Sequence, residues 1–100
     1  MKNPLQQLIG QQLVRTNEDK GILVLEFSAA KAAVFNPRSG NEPLACVGST
    51  VQAIQYVEHD SWHIDFSGGR ILTVSLREQD FSGPEAFCVT FNNGAIVVAP

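Results

Sequence analysis

The chain has little of what usually announces a function. Only two of its 100 residues are cysteines, Cys46 and Cys88. One disulfide is the most they can form, and in a reducing cytosol two free thiols are the expectation. Charge is sparse as well, 17% of residues, with seven Lys and Arg against ten Asp and Glu for a net charge of −3. The basic residues are scattered from Lys2 to Arg77 rather than gathered into a patch, so a nucleic-acid partner is not expected. The longest apolar runs, residues 22–25 and 95–99, are far shorter than the roughly 20 residues that span a bilayer. The first ten residues also lack the apolar core of a secretory signal. A cytoplasmic protein with no membrane partner is the expectation. Glycine-rich phosphate loops are missing too, because Ser67-Gly68-Gly69 joins two strand patterns and no helix follows it.

What remains is an ordinary globular balance, 44% hydrophobic residues over a length that suits one domain. Residues 1–10 read as one short helix. Asn3 is placed to cap it, Pro4 suits its first position, Leu5, Leu8 and Ile9 share a face, and Gly10 ends it. Such a helix is too short to hold itself in water and must dock on something else. Three stretches then share one pattern: Leu23/Leu25/Phe27, Trp62/Ile64/Phe66 and Phe87/Val89/Phe91 alternate with period two. Each is followed by Ser or Asn, small turn residues and a second apolar run. Candidate strands at 11–16 and 50–58, with turns at 17–21 and at His59-Asp60, precede the first two.

The spacing predicts two meander units, residues 10–37 and 48–76, and a terminal hairpin, 85–99. The fold class expected is mainly β: repeated antiparallel meanders and a terminal hairpin closed as a sandwich, roll or half-barrel, with one short N-terminal helix. Residues 36–43 read as a surface loop, and 77–84 as a second loop with room for one helical turn.

Leu25, Phe27, Trp62, Ile64, Phe66, Val89 and Phe91 are the expected core. Gly68-Gly69 and Asn93-Gly94 tolerate positive φ and fit two-residue hairpin turns, whereas Ala29-Ala30 calls for a longer loop or another turn type. A two-residue turn at Gly68-Gly69 pairs Phe66 with Ile71 and Asp65 with Leu72. Leu72, Val74 and Leu76 then fall on a second face beside His63 and Asp65, and Val97 and Ala99 join them. A sheet apolar on both faces needs a second cover, which leads to an expected homodimer through that face.

Candidate chemistry is thin. His59 and His63, with Asp60 and Asp65, form the densest titratable cluster, but His59 and His63 straddle a hairpin turn, so no metal and no cofactor are expected. Neither cysteine sits at a strand-to-helix elbow or beside a histidine, so both read as structural thiols and no catalytic set emerges. In the segment from Asp80 to Phe87, Phe81 and Phe87 anchor a loop whose direction Gly83-Pro84 sets. Glu85 then stands between aromatics and needs a partner such as Arg70 or Arg77. His59, His63, Asp80 and Glu85 are therefore the candidate contacts for a partner or ligand.

The hairpin pattern of residues 64–74, followed by Gly83-Pro84-Glu85-Ala86, resembles a group of small bacterial β-rich proteins, some of which resemble immunity proteins of toxin systems. The resemblance implies a cytoplasmic, non-enzymatic protein and assigns no site residues. Two functions remain. One is a protein-binding module that neutralises a toxin or enzyme by surface complementarity, which the acidic charge suits against a basic partner. The alternative is a small-ligand-binding or catalytic domain with a pocket at one end of the sheet, near His59, His63 and Glu85.

Overall fold

The computed structural model describes residues 4–99. Nine strands form among the described residues, most of them where apolar and polar residues alternate, because period two sends successive side chains to opposite faces of a sheet. They are β1 (Leu13–Asp19), β2 (Ile22–Phe27), β3 (Ala30–Val34), β4 (Arg38–Gly40), β5 (Val51–Val57), β6 (Ser61–Phe66), β7 (Ile71–Ser75), β8 (Phe87–Phe91) and β9 (Ile96–Ala99). They form two antiparallel sheets, ordered β1-β2-β3-β8-β9 and β4-β7-β6-β5, which pack as a sandwich. No described helix is long and apolar enough to cross a membrane.

The two meanders, β1-β2-β3 and β5-β6-β7, meet at their first strands through matched hydrogen bonds. Gly10 N donates to Val51 O and Gly48 N to Leu13 O, both at 2.8 Å; Leu13 N donates to Ser49 O and Val51 N to Gln11 O, both at 2.9 Å. Gln12 and Thr50 bridge between them. Each first strand shifts register at the same place, after Leu13 and after Val51, opposite Phe27 and Phe66 respectively. The chain also crosses over reciprocally. The segment after β3 becomes β4 beside β7, and the segment after β7 becomes β8 beside β3. A local two-fold relation therefore links the sheets, and it extends to their far ends. Glu18 of β1 forms an ion pair with Arg38 of β4, while at the matching places Tyr56 of β5 meets Phe87 of β8 edge to face at 6.4 Å.

All seven expected core residues are buried between the sheets. Phe87 is the main rivet: it stacks on Trp62 across the sandwich with ring centroids 4.1 Å apart. The N-terminal helix is a single 3-10 stretch, Pro4–Leu8, with Leu5 and Leu8 buried and Gln6 Nε2 donating to Ile54 O on β5. Its expected cap, Asn3, lies outside the described residues.

Several expectations need correction, and most follow from turn geometry. Phe66 N donates to Arg70 O and Phe91 N to Ala95 O, so both hairpins close with three-residue loops rather than two-residue turns. Gly69 (φ 76°) and Gly94 (φ 92°) occupy the last loop position, whose left-handed backbone favours glycine. The added residue shifts register by one. Ile64 pairs with Leu72 and Trp62 with Val74, so Leu72, Val74 and Leu76 join the buried core instead of forming a second face. Val97 and Ala99 likewise lie opposite Val89 and Phe87 on the inner side. The homodimer argued from that face loses its surface. The two-residue turn with positive φ occurs instead at Lys20-Gly21, between Asp19 and Ile22. Phe27 pairs directly with Ala30, so that hairpin is of another type but not longer. Residues 36–43 are not simply a surface loop: they contain β4, and Asn36 is fully buried, its Nδ2 donating to Ser75 O at 2.8 Å. Residues 77–84 do hold one helical turn, Glu78–Asp80.

Candidate functional site

The outer face of the four-stranded sheet carries a row of hydroxyls around one imidazole. Trp62 and Ile64 point inward, so Ser61 and His63 point outward, and their register partners on β7 are Ser75 and Thr73. Ser39 on β4 continues the row beside Thr73. Two loops add carboxylates: Asp60 from the β5–β6 turn and Asp80 from the 3-10 turn after β7. Ser61 Oγ donates to Asp60 Oδ2 at 2.9 Å, and Ser75 Oγ donates to Asp80 Oδ2 at 2.5 Å. Arg77 stands over Asp60, with Nε 3.8 Å from Oδ1, and the Arg77 backbone N–H donates to Ser75 Oγ.

His63 is held at both nitrogens, with Nε2 2.8 Å from Ser61 Oγ and Nδ1 2.9 Å from Thr73 Oγ1. The wiring assigns its proton. Because Ser61 gives its own hydrogen to Asp60, His63 Nε2 is the donor in its bond with Ser61, while Nδ1 shares a hydrogen bond with Thr73 Oγ1. A serine nucleophile needs the opposite arrangement, an unprotonated ring nitrogen facing the hydroxyl and an acid behind the ring. Here the acid lies on the serine side, and Ser61 itself is buried. The group is not wired for Ser61 to attack.

This network floors an open cleft of about 380 Å³ whose walls include Arg38, Asp60, His63, Arg77 and Asp80. Arg77 also borders a second cleft of about 610 Å³, lined by His59, Leu76, Glu78, Gln79, Phe81 and Pro84. The two clefts share that one side chain, the first lined by hydroxyls and charged groups and the second in part by Leu76, Phe81 and Pro84.

Of the four candidates from sequence, His63 and Asp80 meet in the first cleft and His59 lines the second. His59 is exposed in the β5–β6 turn at φ 64°, its ring 3.7 Å from Glu58. Glu85 lines neither cleft and forms no ion pair among the described residues, so the expected Arg70 or Arg77 partnership is not found; β8 begins two residues later, at Phe87. His59 and His63 do not converge, and no described trio of His, Cys, Asp or Glu is placed to hold a metal ion. Both cysteines are free thiols, Cys46 buried and Cys88 half-buried. Burial pushes the Cys46 thiol above its ordinary 9.0, against an opposing pull from Arg70. Sequence reasoning missed Ser61, Thr73, Ser75 and Arg38, although the polar alternation of Ser61/His63 and Thr73/Ser75 signals them once β7 has its true register.

The local two-fold shows that the fold does not require this polarity. Counting back from Phe66 and from Phe27, Ser61 corresponds to Ile22 and His63 to Val24. Their partners across the next strand are Thr73 and Ala33. One sheet is apolar where the other carries the network. Comparison with protein-family models, curated proteins and solved structures finds no match to this chain.

Proposed function

We propose that this chain is a non-enzymatic protein-binding module and that the two clefts receive a segment of its partner. The observation that carries this reading is that a hydrogen-bonding cleft and a more apolar one lie on either side of Arg77, which lines both. A protein segment offers both chemistries side by side, as interface cores and rims do. Small molecules favour enclosed pockets that bury most of their surface, and both clefts here are open. Leu76, Phe81 and Pro84 take the apolar part of the partner, and the carboxylates of Asp60 and Asp80, beside the ring of His63, take its donors. The net charge of −3 favours a basic partner, in keeping with the immunity-type reading of a cytoplasmic protein that covers a toxin or enzyme. The proton arrangement at His63 speaks against the alternative of a catalytic pocket.

The test is affinity purification of the tagged chain from its source cells, beside Phe81→Asp and His63→Ala variants shown to be folded. The expected result is one protein retained by the native chain and lost from both variants, binding the purified native chain at 1:1 in calorimetry. Equal retention by all three, or a small molecule co-purifying in place of a protein, overturns the proposal.

A further inference from the structure

The outer face of the five-stranded sheet is a second surface, separate from the two clefts. Its register rows run across all five strands. One is Asn17, Val24, Ala33, Cys88 and Val98; the next is Arg15, Glu26, Lys31, Thr90 and Ile96; on the other side lie Asp19 and Ile22. The first row is apolar from Val24 to Val98 (43% exposed), and Ile22 (38%) and Ile96 (63%) flank it. The matching positions on the other sheet are His63 and Thr73, so the sandwich closes without apolar residues here.

We propose that two copies of this chain pack through this face as an isologous dimer, with the Val24–Ala33–Cys88–Val98 row lying along the two-fold axis. Three features of the face select a second copy as the occupant. An axis along that row sets each apolar side chain against its own copy, and Ala33, on the central strand, is small enough to let the sheets approach. The same axis exchanges the flanking rows strand by strand, so Arg15 on β1 comes to face Asp19 on β1 of the other copy, twice over. Arg15, which pairs with Glu26 at 3.2 Å in its own chain, thus gains a second carboxylate from the other copy, a charge match at both ends of the face, although the chain as a whole is acidic and would repel its copies elsewhere. The size also fits a reversible contact. Five strands about 4.8 Å apart, each presenting about 17 Å, give roughly 400 Å² of face per copy. Two such faces come to about 800 Å² in total, below the standard size of stable interfaces and in the class of weak, transient contacts.

Sedimentation and light scattering from about 1 µM to several hundred micromolar read the outcome directly. The expected result is a mass that rises from one chain to two and stops there. Ala33→Arg should hold the protein at one chain while the buried emission of Trp62 shows that it is folded. Arg15→Asp should weaken association at least tenfold, and Asp19→Arg added to it should restore it. In a Cys46→Ser background, diamide should link the two-chain species covalently, and Cys88→Ser should abolish the link. One chain at every concentration overturns the proposal, as does a folded Ala33→Arg protein that still measures two chains. A two-chain species that diamide does not link, or a mass that grows without limit as edge pairing through β9 would give, overturns it equally.

Discussion

Replacing Phe87 separates what burial contributes to the sandwich from what ring geometry contributes. The side chain is fully buried and belongs to the five-stranded sheet, yet both of its aromatic partners, Trp62 and Tyr56, belong to the other. Phe87→Ala loses the burial and leaves a cavity, together about 3–5 kcal/mol, and also two ring pairs at about 0.5–1.5 kcal/mol each. The total, about 4–8 kcal/mol, rivals the whole stability of a domain, about 5–15 kcal/mol. This variant is therefore expected to be largely unfolded at 37 °C. Phe87→Leu keeps most of the volume and loses the ring pairs, so its expected cost is about 2–3 kcal/mol. With a urea slope of about 1.5 kcal/mol per molar, that moves the midpoint down by about 1.3–2 M. Trp62 is the only tryptophan and sits against the altered residue, so its emission follows the transition without a label. A Tyr56→Leu partner in a double-mutant cycle isolates the edge-to-face pair, with an expected coupling of about 0.5–1.5 kcal/mol. A Phe87→Leu protein within 0.5 kcal/mol of the parent would refute the argument that ring contacts, beyond apolar burial, hold the two sheets together.

Gly40→Ala places a Cβ 2.4 Å from the Ile71 carbonyl oxygen at φ 99°, whereas Gly48→Ala, at φ 93°, meets nothing within 4 Å. Both should show the left-handed penalty of about 1–2 kcal/mol in thermal melts, and Gly40→Ala clearly more; equal costs would mean the β4 edge yields freely. Trp62 Nε1 is buried with no hydrogen-bond partner among the described residues. Trp62→Phe, followed by circular dichroism, should therefore cost under about 2 kcal/mol, because losing an unpaired donor offsets part of the cavity. Burial raises the pKa of both Cys46 and Tyr56, helped at Tyr56 by Glu58. The folded state thus holds these protons more tightly than the unfolded chain. Their contribution is fully present below the ordinary values of 9.0 and 10.0 and is lost as pH rises beyond them. Urea midpoints should fall above about pH 9, and the fall should be shallower in Cys46→Ala; an unchanged slope counts against the assignment.

The alternating triplets made the inner faces legible, because each Phe strand has one wholly apolar side and period two leaves no other arrangement. Hairpin closure was not legible. Gly68-Gly69 and Asn93-Gly94 fit a two-residue turn as well as they fit the end of a three-residue loop, and a single residue of difference moves Leu72, Val74 and Leu76 from outside to inside. The polar row on β6 and β7 was hidden by the same slip: with β7 inverted, Thr73 and Ser75 are core-facing and cannot meet His63. β4 was hidden differently. Arg38-Ser39-Gly40 has no apolar alternation because both of its faces are partly wet, and it pairs only because the chain must cross from one sheet to the other there. His63 and Asp80 could be singled out by type and position, but not the hydroxyls that connect them.

Those hydroxyls explain why the two sheets, so alike in their hydrogen bonding, need not do the same work. A sandwich constrains only its inner positions: Leu25 and Ile64, or Phe27 and Phe66, are apolar because they are dry. The outer positions of β2, β3, β6 and β7 are free of that demand, and the chain has filled them in opposite ways. Val24 and Ala33 are good neighbours for another apolar sheet and poor ones for water. His63 and Thr73 hold each other in fixed orientation beside two carboxylates, which leaves little rotamer entropy to be lost when a partner's donors arrive. A face that must recognise something else benefits from such prior order, and a face that meets its own copy needs only shape and matched charge. Exchanging the pairs, with Val24→His and Ala33→Thr on one sheet or His63→Val and Thr73→Ala on the other, should therefore leave the fold intact. The first exchange should abolish the two-chain mass, and the second should abolish retention of the partner. If either exchange unfolds the protein, the outer faces belong to the core's energetics after all, and the division of labour between them fails.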